Sequence, residues 1–269
     1  MAQTIDNQVA SLKVQKYLNA ANERVAIATD RLSSGLRVNS AKDDAAVISI
    51  AERMNAEIRG MNAGMRNAYD GISTSQVAEG GLSQVNDKLQ QMRELALQSA
   101  NGSNSAADRE NLNKQFTALN SEISQIASTT QFNGKSVLAD EARSINYQVG
   151  PGTGDEDTVS MDLVGIEPLN ANINTFDASM ASIDAIDLMI ENVASSRADF
   201  GAMQTQFEST ISNLQTGVEN QSASRARIMD TDFAVETANL TRAQILQQAG
   251  TAMSSQANAS PQSVMQLLG

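Results

Sequence analysis

The sequence predicts a mainly α-helical protein: a long antiparallel coiled-coil or bundle rod with one small β-hairpin region and terminal helices that pair as a coiled coil. Apolar residues recur at alternating intervals of three and four along two long segments, the spacing of helices that pack on other helices. Aromatic residues make up only 3% of the 269 residues and tryptophan is absent. Burial must therefore come from small and aliphatic side chains.

The first long helix is predicted over residues 42–100, with a capping box from Ser40 to Asp43 at its start. Its apolar seam runs through Val47, Ala51, Met54, Ile58, Met61, Met65, Ala68 and Ile72. The seam resumes one residue out of phase at Ala78, Leu82, Val85, Leu89, Met92 and Ala96, which predicts a slip near Ser75.

A second helix follows and should fold back antiparallel on the first. The pattern from Ser105 to Asp108 predicts a capping box at its start. Its apolar positions are Leu112, Phe116, Leu119, Ile123 and Ile126. The dipeptide Asn133-Gly134 then predicts a turn.

A β-hairpin is predicted where the apolar period changes from helical spacing to two. The alternating residues are Ile145, Tyr147 and Val149 before an exposed loop at 150–158, and Val159, Met161 and Leu163 after it.

The longest seam begins after residue 179 and requires a helical partner along its whole length, for which the Val47 seam is the candidate. It comprises Ile183, Ile186, Ile190, Val193, Arg197, Phe200, Gln204, Phe207, Ile211, Leu214, Val218, Gln221, Arg225 and Ile228. Glycines also occur inside the predicted helices, where each costs about 1 kcal/mol relative to alanine. They indicate close helix approach, within the chain or between copies of it.

Both ends of the chain are weaker amphipathic helices that we expect to order only in an assembly. Their apolar residues are Ile5, Val9, Leu12, Leu18, Val25 and Leu32 at one end, and Phe233, Leu240, Ile245, Leu246, Met253, Val264, Leu267 and Leu268 at the other. We predict a discontinuous terminal domain from 1–42 and 231–269, and a rod domain from 43–230 with the hairpin near 144–165.

Composition argues against several classes of function. With 31 acidic and 19 basic residues, the net charge of −12 would repel nucleic acid. Histidine, the commonest general base and metal ligand, is absent, as is cysteine. No apolar run approaches the ~20 residues that span a bilayer. We predict no enzyme, no catalytic, cofactor or metal site, and no membrane insertion.

Two short segments resemble ligand sites only superficially. Gly134-Lys135-Ser136 is similar to the end of a phosphate-binding loop, but Thr129 occupies the position where that loop needs its first glycine. Residues 155–157 are all acidic, yet their spacing matches no calcium loop and indicates a solvated hairpin tip.

Several collinear motifs resemble bacterial flagellin. At the N-terminal side these are LSSGLR at 32–37, NSAKDDAA at 39–46, DGIS at 70–73, LQQMRELALQSAN at 89–101 and TQFNG at 130–134. At the C-terminal side they are RAQILQQAG at 242–250, QAN at 256–258 and PQ at 261–262. The matches span almost the whole chain.

The resemblance implies a structural subunit that polymerises helically into the extracellular flagellar filament for swimming motility. It implies terminal helices that form an inner tube, with Arg37 and Asp43 joining the terminal apolar residues as assembly positions. It also implies export through the flagellar type III apparatus without a cleaved signal, a chaperone at the C-terminal segment, and junction and cap proteins as partners. Residues 165–177 lack the large outer domains of many relatives, so this is predicted to be a short form.

The resemblance further implies a region that a vertebrate flagellin receptor reads, at Gln91, Arg93, Leu95 and Gln115. Gln91 and Gln115 stand where recognised relatives commonly carry a basic and an acidic residue, which places recognition in question. Two alternatives to a filament subunit are a hook-filament junction protein and a non-flagellar coiled-coil adaptor. A metalloprotease-bearing relative would need a His-Glu-x-x-His helix, which a chain without histidine lacks.

Overall fold

A computed structural model describes the backbone of residues 9–138 and 143–268, and within these the side chains of all but residues 10 and 260–268. The helices are α1 (Val9–Ser34), α2 (Ala41–Ser99), α3 (Ala106–Thr129), α4 (Phe176–Met229) and α5 (Phe233–Leu268). The strands are β1 (Gln131–Phe132), β2 (Lys135–Ser136), β3 (Arg143–Gln148) and β4 (Thr158–Leu163). The mainly α prediction is confirmed.

The chain forms two compact units. One, called here the terminal unit, comprises residues 1–56 and 220–269; the other, the rod unit, comprises residues 57–219. The predicted domain division at 42/43 and 230/231 stays a prediction. No helix in the described part of the chain is long and apolar enough to cross a membrane.

The core of the rod unit lies where α2, α3 and α4 meet beneath the β3–β4 hairpin. Its largest fully buried side chains include Leu82, Leu89, Met92, Phe116, Ile123, Met161, Ile186 and Phe200. A neighbouring cluster joins Ala68, Val149, Val159, Phe207 and Ile211. Residues 68–96 of the α2 seams and 183–211 of the α4 seam therefore supply these cores. Pairing of the Val47 seam with α4 along the whole length of the α4 seam stays a prediction.

The buried line on α2 is continuous, and the slip predicted near Ser75 is wrong. Buried positions follow alternating steps of four and three from residue 64 to residue 99: Gly64, Ala68, Gly71, Ser75, Ala78, Leu82, Val85, Leu89, Met92, Ala96 and Ser99. The apolar pattern lost its phase because glycine and serine occupy two successive buried positions, Gly71 and Ser75. The Ser75 hydroxyl donates to the Gly71 carbonyl oxygen at 2.9 Å, which satisfies it inside the core.

Glycines on α2 allow other elements of the rod unit to approach its backbone. A Cβ added at Gly64 would overlap the carbonyl of Val149, and one added at Gly71 would lie 2.6 Å from the Phe207 ring. No rearrangement of a flexible side-chain end could relieve the clash at Gly64, because the contacting atoms are backbone. The close approach inferred from sequence is thus within the chain at both positions.

Both hairpins follow from local sequence. Asn133 and Gly134 adopt φ values of 49° and 76°, which joins β1 and β2 by a two-residue turn of the kind that favours Asn-Gly. In the longer hairpin, Ile145 pairs with Met161 and Tyr147 with Val159, as the period-two pattern predicts. The two-residue strands β1 and β2 are too short to show any period, so sequence predicts only their turn.

Helix starts are capped at both predicted positions, with one correction. At α3 the capping box between Ser105 and Asp108 is confirmed. Before α2 the Asp43 carboxylate accepts from the Ser40 backbone N–H at 3.0 Å, but the Asp43 N–H donates to the Ser40 carbonyl rather than to its hydroxyl. Asp44 instead adopts φ −162° and ψ 100°, and its carboxylate accepts the N–H groups of residues 46 and 47. The regular helix therefore begins after Asp44.

We expect Gly64→Ala to lower the free energy of unfolding by about 1–3 kcal/mol, because the added methyl group meets backbone atoms. Gly80→Ala is the matched control, since nothing lies within 4 Å of its added Cβ. That change should raise the free energy of unfolding by about 1 kcal/mol through helix propensity. Urea unfolding followed by circular dichroism measures both, and equal effects at the two glycines would contradict the assigned contact.

The Asp108 cap should make stability depend on pH. Hydrogen bonds from the Ser105 hydroxyl and backbone N–H lower the pKa of Asp108 below its ordinary value. The stabilisation is therefore present above the unfolded pKa of about 3.9 and is lost as pH falls through the lower folded pKa.

Asp108→Asn should accordingly lower the thermal midpoint at neutral pH, with a difference from the parent chain that shrinks below about pH 4. Glu94→Gln, which removes an exposed carboxylate in the interior of α2, is the control and should leave the midpoint unchanged. A pH-independent difference for Asp108→Asn would argue against the cap as its cause.

Candidate self-association surface

The terminal unit is built on the antiparallel pairing of α1 with α5. Three polar contacts join the two helices along their length: Ser11 to Asn258 at 3.0 Å, Asn22 to Gln247 at 2.8 Å, and Arg31 to Glu236 at 3.9 Å. The predicted pairing of the terminal helices is thereby confirmed.

Small residues line much of the seam between these helices. Its buried side chains are Ser11, Ala21 and Ala28 on α1 and Glu236 and Ala243 on α5. Gly250 packs against Leu18, whose Cδ1 would lie 3.2 Å from an added Cβ. Half-buried apolar positions complete the seam at Leu18, Val25, Leu32 and Leu240, all predicted as interface residues. Sequence reasoning missed the small residues, although Ala21 and Ala28 continue the alternating steps of three and four that run through Leu18, Val25 and Leu32.

Six of the predicted interface residues instead lie on the outside of the pair. Val9 is 61% exposed, Leu12 63%, Phe233 57%, Ile245 60%, Leu246 45% and Met253 57%. Tyr17, Ile27 and Val235 are also exposed, and the sequence analysis did not include them. Water-facing apolar side chains at this density indicate a surface that another chain covers.

An open groove on α5 collects part of this exposed surface. It lies between Phe233 at one end and Ile245 and Leu246 at the other, and Ala234, Thr237, Ala238, Thr241 and Arg242 complete its lining. Alanine and threonine separate the large apolar side chains along this open face of α5. The apolar face of another helix could pack on such a surface.

Arg37 and Asp43 lie in the segment between α1 and α2 and bond within the chain. The Arg37 guanidinium donates to the Ile228 carbonyl at 2.7 Å, and its backbone N–H donates to the Met229 carbonyl at 2.6 Å. Nearby, Val38, Ala51 and Met229 form a small buried cluster. Hydrogen bonds from Ser40 lower the pKa of Asp43. Arg37 thus braces the segment against the end of α4, and Asp43 closes a turn.

Four predicted interface positions cannot be placed by their side chains. Ile5 lies outside the described residues. Val264, Leu267 and Leu268 lie within α5, but their side chains are not among those described.

In the rod unit, the predicted receptor positions separate into two places. Gln91, Leu95 and Gln115 line one groove between α2 and α3. Arg93 instead donates two hydrogen bonds to the carboxylate of Asp187 on α4, at 2.6 and 3.1 Å. This pairing lowers the pKa of Asp187 and raises that of Arg93. Only three of the four positions therefore face the same groove.

Acidic side chains do not converge anywhere in the described part of the chain to form a group of three or more that could hold a metal ion.

Comparison with known families supplies the identification. The model of the bacterial flagellin N-terminal helical region matches residues 5–143, more than half of the chain. The model of the bacterial flagellin C-terminal helical region matches residues 183–268. The chain belongs to the bacterial flagellin family.

Individual proteins that are similar to this chain are also flagellins. Flagellin E of Vibrio cholerae serotype O1 is 45% identical over 161 residues, which cover 60% of this chain and 43% of that protein. A flagellin of Serratia marcescens is 43% identical over 182 residues, or 68% of this chain and 51% of that protein. The flagellin chain thus spans about half or less of the length of these relatives. Among solved structures, Bacillus cereus flagellin aligns at 28% identity and a TM-score of 0.49, over 60% of this chain and 94% of that one.

A matched pair of substitutions separates packing inside this flagellin chain from its outer surface. Leu18→Ala should increase protease cleavage within the terminal helices, because it removes one of the few large side chains of a seam made mostly of small ones. Leu12→Ala, at a position 63% exposed, should leave the cleavage rate of the isolated chain unchanged. Limited proteolysis with mass spectrometry measures both, and equal sensitivity would contradict the assigned seam.

Proposed function

We propose that this flagellin chain is a structural subunit that polymerises helically into the bacterial flagellar filament. The observation that carries the proposal is the row of large apolar side chains on the outside of the α1–α5 pair, including Leu12, Ile245 and Leu246. Fully burying one such side chain contributes roughly 1.5–3 kcal/mol. Several of them covered in each subunit would supply a strong driving force for association.

The composition of the terminal seam supports coupling between assembly and the order of the ends. Alanine, serine and glycine bury little apolar area, so the α1–α5 pair is weakly stabilised in one chain. Contacts with other copies would add the missing burial. The terminal residues 1–42 and 231–269 would then act as one domain whose stability comes from the filament, beside a rod domain at 43–230.

An open helical polymer needs two different, complementary surfaces on each subunit, because self-complementary surfaces close into dimers. The predicted terminal positions then have two roles. Contacts between copies would be made by Ile5, Val9, Leu12, Phe233, Ile245, Leu246, Met253, Val264, Leu267 and Leu268. The fold of the unit that makes these contacts would be held by Leu18, Val25, Leu32, Leu240, Arg37 and Asp43.

The proposal extends to location, partners and the absence of catalysis. Family membership supports an extracellular filament subunit exported through the flagellar type III apparatus, with a chaperone at the C-terminal segment and junction and cap proteins as neighbours. It favours a structural role over an enzymatic one. The groove of Gln91, Leu95 and Gln115, together with the partly exposed Arg93, is the region we propose a vertebrate flagellin receptor would read.

Two alternatives are weaker. A non-flagellar coiled-coil adaptor would not account for the two flagellin family matches, one at each end of the chain. A hook-filament junction protein would share flagellin-like ends, but the curated relatives described above are themselves flagellins.

We expect Ile245→Ser with Leu246→Ser to abolish filament growth from seeds, because the change makes the edge of the α5 groove polar. Thr241→Ser, within the same groove, is the control and should allow normal growth. Sedimentation and electron microscopy measure the polymer, and circular dichroism checks that the monomer keeps its helices. Filaments of normal length and yield from the double variant would contradict the assignment of this surface.

A further inference from the structure

Three arginines of the terminal unit line one cleft beside the α5 groove. Arg24 and Arg31 reach it from α1 and Arg242 reaches it from α5, with Glu236 as the one carboxylate among its described lining residues. The Glu236 side chain is only 8% exposed and lies 3.9 Å from the Arg31 guanidinium. Arg24 and Arg242 are exposed, and Arg242 donates a hydrogen bond to the neutral side chain of Asn239 at 3.5 Å. The cleft is therefore positively charged on a chain whose net charge is −12.

Another flank of α1 carries the complementary charge. Glu23 and Asp30 directly precede Arg24 and Arg31 in sequence, and both acids are exposed. One residue turns a helix by about 100°, so each acid lies on a different side of α1 from the arginine that follows it. Helix α1 thus carries an acid flank, Glu23 and Asp30, and a basic flank that opens into the cleft.

The two flanks also match in spacing. Both the two acids and the two arginines are seven residues apart, which is about 10 Å along a helix. Exposed Leu12 and Ala26 lie on the same side of α1 as the acids, because Leu12 precedes Glu23 by eleven residues and Ala26 precedes Asp30 by four, both close to whole helical turns. Lys16 also lies on this side, so the acidic part of the flank is confined to residues 23–30. The surface that receives this flank needs an apolar groove beside a row of positive charges.

We propose that the three-arginine cleft of one copy binds the acid flank of α1 from a second copy, while the adjoining α5 groove covers the apolar residues of that flank. The inference rests on the proposed self-assembly and names the surface that each copy offers to the next. The contact is heterologous, since cleft and flank are different parts of the chain, and can therefore repeat without closing. Attraction between the two acids and Arg24 and Arg242 of the cleft favours one register of the two helices, as charged flanking positions do in coiled coils.

The test uses two charge-reversal variants of the full chain. The acid-flank variant is Glu23→Lys with Asp30→Lys. The basic-flank variant is Arg24→Glu with Arg242→Glu, and it spares Arg31 because that residue pairs with Glu236 inside the chain. Arg24→Lys with Arg242→Lys keeps the charge and serves as the control. Circular dichroism of each monomer verifies that helix content is retained.

Each reversal variant alone should place like charges at the contact, and the concentration needed for growth from parent-chain seeds should rise at least about tenfold. The charge-preserving control should grow like the parent chain. An equimolar mixture of the two reversal variants should grow again, because the flank of each variant then faces a cleft of opposite sign. Sedimentation followed by mass spectrometry should find both variants in the polymer in equal amounts.

The outcomes separate this inference from the function on which it rests. Failure of the parent chain to polymerise on seeds would refute the filament proposal itself. If the parent chain grows but the mixture does not, or if either reversal variant grows alone like the parent, the pairing of cleft and acid flank is overturned. Recovery of growth in the mixture would require a contact between copies, because mixing changes nothing inside either variant chain.

Discussion

The two helices from opposite ends of the chain pack against each other mainly through alanine, serine and glycine. The stability of the terminal unit and the residues on its surface both depend on this packing. Small side chains let α1 and α5 lie close together, as Gly250 against Leu18 illustrates. The same small side chains bury little apolar area, so the larger apolar residues remain on the outside. A helix pair of this kind is specific in its register but modest in its stability. It gains most when a neighbour covers its outer faces.

The rod unit, in contrast, buries large apolar side chains within a single chain. There the seams of α2 and α4 carry phenylalanine, leucine, isoleucine and methionine to nearly complete burial, with α3 and the β3–β4 hairpin closing the core. Close approach is confined to points such as Gly64 and Gly71, where other parts of the rod unit touch the α2 backbone. The rod unit can therefore be stable without a partner. The terminal unit is the part of the chain for which we propose a role in assembly.

Much of this fold could be predicted because helices and hairpins have characteristic apolar periods. The α3 capping box, the Asn133-Gly134 turn and the two alternating strands of the longer hairpin all follow from local residues. The phase of the α2 seam could not be predicted, because Gly71 and Ser75 are buried without being apolar. For the same reason, apolar counting placed Leu12 and Leu18 in one set, although only Leu18 faces α5. Small residues escape such counting until the partner helix is known.

The sequence predicted that the candidate interface lies at the two ends of the chain, but it did not predict which side chains form it. Apolar residues at both ends indicated an interface, but the cleft of Arg24, Arg31 and Arg242 joins positions more than two hundred residues apart, which no local pattern relates. Arg37 illustrates the converse. Motif resemblance placed it among assembly positions, whereas its hydrogen bonds run to the backbone at the end of α4.

The short bridge between the connecting segments has a consequence for how sequences of this kind can change in length. Leu36 pairs with Asp230, and the Gly35 carbonyl accepts from the Thr231 N–H at 2.9 Å, so both terminal helices start from one fixed point. Gain or loss of a residue inside either helix near that point would turn the rest of the helix by about 100° and carry its small-residue face away from its partner. Length variation is thus disfavoured near this bridge, whereas an insertion in the loop at 150–157 would change the phase of no α-helix. Growth and loss of sequence over evolutionary time should be concentrated far from the two ends.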